Sequence, residues 1–443
     1  MDLIVTRYGV TARRVTVGHG MKRLRLGPDR QRKRLNYKDE EEMRMLNAMW
    51  APVFRSKFAH RALGSVALIC VGLASSSAFA ETRSEPYPAW PEPVIQDKMS
   101  VDEAKAIVAE RTKPQIEWKG PTDGPKAPSG DFTIAYVSPD QSYTPHVLWG
   151  KGVEAGAKAL GWKVMTFNGQ GTVSGTLAAM QQALAANPAA IITPADANAL
   201  QKPIKEAVAR HIPVIGIHAT AFPGPSPELG LYQNIVSNPA EIGGTEAAYV
   251  IAQSDGKAKD IHMVDNSYAI ARFKAKSTTT PIANCPGCKM LETVNMPLGD
   301  ASARMGAAVS GLLARYGDSW WMTTCCDGYY TNVAAALRAA GASPDKIKLV
   351  GADAPPSAYD MIRKGGFEVA SVPEPSSLFG YEAMDAVIRA MAGQEPAHFL
   401  QPVFLIVKDN VDTEGGKNNE FVPSNNFACH YVNIWKGENK ACN

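Results

Sequence analysis

The chain has 443 residues, with 46 Lys and Arg, 43 Asp and Glu, a formal net charge of +3 and seven cysteines. The basic excess sits at one end: residues 1–80 hold 15 basic and 6 acidic residues, so 31 basic and 37 acidic residues lie beyond Ala80, a balance of −6. Basicity is therefore no ground for a nucleic-acid partner, and none is expected; the roughly 360 residues beyond Ala80 are enough for two lobes.

Residues 1–48 carry Lys22, Arg23, Arg25, Arg30, Arg32, Lys33 and Arg34 without a sustained apolar period. They are expected to be untranslated or disordered, with Met49 as the true start. Residues 49–80 read as a secretory signal. A basic run through Arg55, Lys57 and Arg61 precedes an apolar, uncharged run over 62–74, and small residues stand at Ala78 and Ala80. The apolar run is shorter than the ~20 residues that span a bilayer. Cleavage after Ala80 and export to the periplasm are expected. Residues 81–130 form a proline-rich extension whose one helix signal is Ser100 with Glu103 three residues on, a capping box ahead of AKAIVAE.

From Asp131 apolar strands alternate with amphipathic helices. Strands are expected at 132–138, 163–168, 189–193 and 213–218, with helices over 145–160, 173–186 and 197–210 between them. After a break at 232–239 the cycle resumes with helix 240–253 and strands at 260–265, 289–297, 319–325, 346–353 and 367–372. Helices at 269–282, 301–316, 331–340, 357–364 and 377–391 separate and follow them. Short apolar strands with helical crossovers imply an α/β fold of two doubly wound parallel-sheet lobes, with a ligand cleft between the carboxyl edges of their strands.

Loss of the signal removes Cys70 and leaves six cysteines, an even count suited to disulfides in an exported protein. Cys285-Pro-Gly-Cys288 can close on itself across a turn, and Cys429 and Cys442 can tie down the tail; Cys325 and Cys326 remain, adjacent to each other. No second CxxC or suitably spaced histidine completes a metal constellation, so no metal and no cofactor are expected. If joined, Cys325 and Cys326 make a rigid vicinal disulfide. If reduced, they could hold a soft metal or simply pack at a strand end.

The opening strand TIAYVSPD, the stretch GVEAGAKALGWKV, AAIITPAD followed by IPVIGI, SNPAEIGG, CDGYYTNVAAALRAAG, KLVGAD, EPSSLFGYEAM and the terminal FLIVKDN occur in this order over nearly 280 residues. On these the chain from about Phe132 to Asn410 resembles the ribose-binding-like (type I) class of periplasmic solute-binding proteins. The resemblance implies two hinged lobes with three chain crossings, a first lobe of 131–237 plus 375–399, a second of 238–374 plus 400–410, and a tail over 411–443. It further implies a monomer that hands a sugar or sugar-like solute to the membrane permease of an ABC importer. Regulators sharing the fold carry a helix-turn-helix in front, where this chain has a signal and a proline-rich extension.

Strand ends place Gln141, Tyr143, His146, Asn168, Asp196 and His218 at the cleft from the first lobe. From the second they place Asp265, Asn266, Arg272, Asp327, Asp353 and, at the hinge, Glu374. Polyhydroxylated ligands call for planar carboxylate, amide and guanidinium groups and an aromatic to cover a ring face. The resemblance selects Tyr143, Arg272, Asp327, Asp353 and Glu374 as ligand-binding residues, joined by His146 and His218. His218-Ala219 stands where sugar binders of the class carry Asp-Arg, and Glu374 replaces their hinge amide. A cationic ligand, a polyol and a modified sugar all stay open. No GxSxG, HExxH or phosphate loop is present and no enzyme is expected. A sensor docking on a chemoreceptor or sensor kinase is the alternative with the same cleft.

Overall fold

A computed structural model describes Trp90 and residues 92–442; residues 1–48 and the expected signal segment lie outside the described residues. The capping box at Ser100 starts helix α1, Val101–Arg111: Ser100 Oγ accepts from the Glu103 amide, and the Glu103 carboxylate accepts from the Ser100 amide. The first sheet is built from β1 (Thr133–Ser138), β2 (Lys163–Asn168), β3 (Ala190–Thr193), β4 (Val214–Ile217), β5 (Gly224–Ser226) and β6 (Leu231–Ile235). Helices α2 (Thr144–Ala159), α3 (Val173–Ala185) and α4 (Gln201–Ala209) connect its early strands. Its spatial order is β2-β1-β3-β4-β6-β5, parallel except for edge strand β5.

Helix α5 (Pro239–Gln253) leads into the second sheet, made of β7 (Lys259–Val264), β8 (Lys289–Asn295), β9 (Trp320–Thr324), β10 (Ile347–Asp353), β11 (Glu368–Pro373) and β12 (Ile406–Val407). The order is β12-β11-β10-β9-β7-β8, with β12 antiparallel at the edge. Its helices are α6 (Ala269–Ala283), α7 (Ala301–Tyr316), α8 (Tyr330–Ala339) and α9 (Pro356–Lys364); α10 (Ser376–Met391) returns to the first sheet and α11 (Phe427–Lys436) lies in the tail. The two-lobe α/β architecture is the one expected. The hairpin β5–β6 is not among the expected strands, and β6 lies largely where a break at 232–239 is expected. Strand β5 is Gly-Pro-Ser with no apolar content, and β6 buries Gln233 and Asn234, so neither shows an apolar run.

Apolar faces explain where the helices sit. Ile134, Tyr136, Ile192, Ile215 and Ile217 pack under Trp149, Val153, Phe379, Met384, Tyr431 and Trp435, so α2, α10 and α11 share the core of the first lobe. Helices α2 and α10 touch backbone to backbone. A Cβ added at Gly380 would stand 2.1 Å from the Gly152 carbonyl carbon and 2.3 Å from the Val153 nitrogen. Gly380→Ala must push the helices apart, and a loss of about 2 kcal/mol is expected in urea unfolding; an unchanged midpoint would contradict this packing.

The chain passes between the lobes at 236–238, at 374–375 and at 400–402, where residues of the first core give way to those of the second. Two further links run beside these among the described residues. Helix α1 packs on α5, with Arg111 paired to Glu241, and Trp118 then stacks on His430 and packs against Phe399 and Tyr431 of the first lobe. Between them Gln115 donates from its backbone to Glu414 and from its amide to the Pro402 carbonyl. In the tail, Arg363 holds Asp412, Gly416 and Asn419 against the second lobe, before Ser377 pairs with Glu420 and α11 packs on the first. Among the described residues no helix is long and apolar enough to cross a membrane.

Candidate functional site

The carboxyl edges of the two sheets meet at the hinge, and their side chains form one run of contacts. His218 follows β4 in a left-handed turn, φ 58°. Asn234 of β6 holds the turn: its Oδ1 accepts from the Ala219 amide at 2.9 Å and its Nδ2 donates to the Phe222 carbonyl at 2.7 Å. This is why a strand interior carries a buried asparagine.

His218 Nε2 lies 2.7 Å from Glu374 Oε2. Glu374 Oε1 accepts from Lys274 Nζ at 2.7 Å, and the same ammonium lies 3.4 Å from Asp353 Oδ1. Asp353 Oδ2 accepts from the Tyr143 hydroxyl at 3.0 Å, while Cys326 Sγ lies 2.8 Å from that hydroxyl. The phenol has one hydrogen and gives it to Asp353, so the thiol is the donor to Tyr143. His218 and Tyr143 belong to the first lobe, Lys274, Asp353 and Cys326 to the second, and Glu374 to the crossing between them.

Charge in this run is matched locally. Lys274 is 2% exposed and Glu374 3%. Burial alone would raise the Glu374 pKa; His218 and Lys274 outweigh it and hold the carboxyl at about 2. Burial opposes the charge on Lys274, but Glu374 and Asp353 overcome it and keep the ammonium protonated. Taking each ion out of water costs several kcal/mol, which the mutual attraction offsets only while all partners are present. Burial drives the Tyr143 pKa up, and Cys326 and Asp353 add to it, so the phenol stays a donor. Burial also lowers His146 to about 4. As a neutral ring it donates from Nδ1 to the Asp140 carbonyl at 3.0 Å, leaving Nε2 an acceptor.

An aromatic wall runs along the first lobe. Ring centroids are 4.9 Å apart for Tyr143–His146, 5.4 Å for His146–Trp149, 4.7 Å for Trp149–His218 and 5.8 Å for His218–Phe379. Phe222 and Phe273 meet edge to face at 5.0 Å, one from each lobe. Trp149 Nε1 and Gln141 Nε2 are buried with no hydrogen-bond partner.

Of the expected ligand-binding residues, the structure brings Tyr143, His146, His218, Asp353 and Glu374 together. It does not bring Arg272 to them: that side chain is exposed and donates to the Asn266 carbonyl at 2.5 Å. Lys274, two residues further along α6, supplies the cation, and the sequence reading did not select it. The buried positions of α6 (Ile270, Ala271, Lys274, Ala275, Ser277, Thr278) mark one helical face that contains Lys274 and leaves out Arg272. Asp327 is fully buried beneath Asp353. Asn168, Asp196 and Asp265 accept from amides of their own loops.

Cys285 and Cys288 form one close pair, with Cα atoms 5.2 Å apart, and Cys429 and Cys442 another at 5.6 Å, both within bridging range. Cys325 and Cys326, candidates for a vicinal bridge, are instead two free, buried thiols. Cys326 adopts an extended backbone and turns its sulfur to Tyr143, and burial raises both thiol pKa values, which keeps them protonated. Among the described residues no group of three or more His, Cys, Asp or Glu is placed to hold a metal ion.

A family model described as a periplasmic binding protein domain matches residues 134–395. None of the curated proteins matches the chain. Among solved structures, a sugar ABC transporter protein from Yersinia enterocolitica superposes with a TM-score of 0.59 at 21% identity, covering 72% of this chain and 99% of that one. An ABC transporter solute-binding protein from Agrobacterium vitis, bound with α-D-tagatopyranose, gives 0.58 at 21% identity over 66% and 99%. A second from that organism, with bound allitol, gives 0.56 at 19% over 65% and 99%. At about one-fifth identity these likenesses establish the fold.

Proposed function

The chain belongs to the periplasmic binding protein domain family, a family of solute-binding proteins rather than enzymes, and from that premise we propose that it is the exported solute-binding component of an ABC importer for a neutral polyhydroxylated solute. The supporting observation is that the cleft contacts come from both lobes and the hinge at once. Such a set is complete only when the lobes are together, so a ligand bridging them favours the closed form by its differential contacts.

The charge pattern narrows the solute. Glu374, which as a lone carboxylate would invite a cation, is already matched by Lys274 and His218. A neutral polyol or sugar needs no extra counter-charge; it can exchange hydroxyls for the existing donors and acceptors, lie against the Trp149–His218 wall, and take the free Trp149 and Gln141 donors. The sugar and the polyol held by the two Agrobacterium vitis proteins are of this class. Export is supported by the signal pattern of residues 49–80, and the two close cysteine pairs are read as its disulfides.

A thermal-shift screen of residues 81–443 against pentoses, hexoses, polyols and amines tests the reading. A neutral polyol or sugar is expected to raise the melting temperature, since a ligand at 100 times its Kd adds about 2.7 kcal/mol. Stabilisation by amines alone would sink the solute class. For the best ligand, Asp353→Ala is expected to weaken affinity on the order of 100-fold in calorimetry while the protein stays folded, because Lys274 keeps Glu374. Unchanged affinity would move the site elsewhere.

A further inference from the structure

The turn that carries Asp353 is held in a conformation L-residues avoid. Asp353 has φ 84° and Ala354 φ 46°, and such residues persist only where their surroundings over-determine them. Directly beneath, Asp327 is completely buried. Its Oδ2 accepts from the Ala354 amide at 3.2 Å and from Ser371 Oγ at 2.6 Å. It reaches across β10 toward β11 because position 351 is glycine: a Cβ there would stand 2.5 Å from the Asp327 Cβ.

Opposite lies Glu368, on β11 beside the one irregularity in the β10–β11 register, between Leu349 and Val350. Glu368 and Asp327 are both completely buried. Neither Glu368 oxygen, nor Asp327 Oδ1, meets a protein N–H or O–H. A buried carboxyl oxygen with no donor beside it favours the protonated form, since a carboxylate can only accept. Burial, helped by the Asp353 charge, pushes Asp327 up to about 8, and burial pushes Glu368 up as well, in keeping with a retained proton.

We propose that Asp327 is a positioning residue that fixes the Asp353–Ala354 turn from beneath through its bonds to Ala354 and Ser371, so that Asp353 meets Tyr143 and Lys274 across the cleft. Asp327 then acts on the ligand through Asp353 and does not touch it. This rests on the cleft reading above, but its test needs no ligand and so fails or succeeds separately. The measurement is the exchange rate of the Ala354 amide hydrogen in the exported protein, read by NMR.

Asp327→Ala removes the acceptor, and Ala354 exchange is expected to speed up about tenfold, the effect of one lost hydrogen bond. Asp327→Asn keeps an oxygen for Ala354; exchange is expected to stay within about threefold of the parent. Gly351→Ala, which displaces Asp327 without altering it, is expected to follow the alanine variant. If Asp327→Ala does not yield folded protein, Asp327→Ala with Glu368→Leu removes the stranded acid and reads the same amide. Unchanged Ala354 exchange in the alanine variant or that double variant would overturn the proposal, as would an asparagine variant that exchanges as fast as the alanine one.

Discussion

Lys274→Met is expected to lower the unfolding free energy by about 3–5 kcal/mol, the cost of leaving buried charges without their partner. The methionine fills most of the space, so the loss reads charge rather than volume. Glu374 and Asp353 would be left at 3% exposure and at a nearly buried side chain respectively, with His218 alone to answer for Glu374. The check is urea unfolding of the parent, Lys274→Met and the double variant Lys274→Met with Glu374→Gln. If the stranded carboxylate causes the loss, the double variant recovers part of it. A double variant as unstable as the single would place the cause in packing.

Acidification should uncover the Glu374 interaction by a second route. His218 and Lys274 hold its carboxyl at about 2 in the folded protein, against 4.5 for a free glutamate. A depressed acid contributes stability that is fully present above its unfolded value and lost as pH falls through the folded one. The window is therefore pH 4.5 down to 2, and the gap of about 2.5 units corresponds to roughly 3 kcal/mol. Glu374→Gln cannot titrate. The stability difference, parent minus variant, should fall by that amount as pH drops from about 5 to 2. Buried His146 titrates in both proteins and cancels in the difference; His218 does not, because the variant takes away its partner, and the fall is therefore read below pH 5. A difference that stays level to pH 2 would show that Glu374 is not held by His218 and Lys274.

How far the sequence could carry this depended on what each residue advertises. Strand ends are legible, because an apolar run stops and a polar residue follows; that is how Tyr143, His218, Asp353 and Glu374 were selected, and the structure brings them together. Lys274 carries no such mark. It sits mid-helix beside Lys276 and Arg272, and only the periodicity of small and apolar residues around it shows that it points inward. Asp327 was legible as a strand-end acid, but whether such an acid faces the cleft or the layer below depends on Gly351 and Glu368, which lie on two other strands. The β5–β6 hairpin was hidden for a related reason: its buried Asn234 serves the His218 turn across the sheet, a role visible only once the strands are paired.

The links that run beside the hinge have a mechanical consequence. A joint of few strands can bend, and can also twist or slide. Here the Gln115–Trp118 segment follows the 399–402 crossing, and the Glu420 region follows the crossing at Ser377. Five connections spread across the joint resist twisting and sliding more than three would. If the lobes close on a solute as proposed, the motion left to them is narrowed, and closure returns Tyr143 to its place over Asp353.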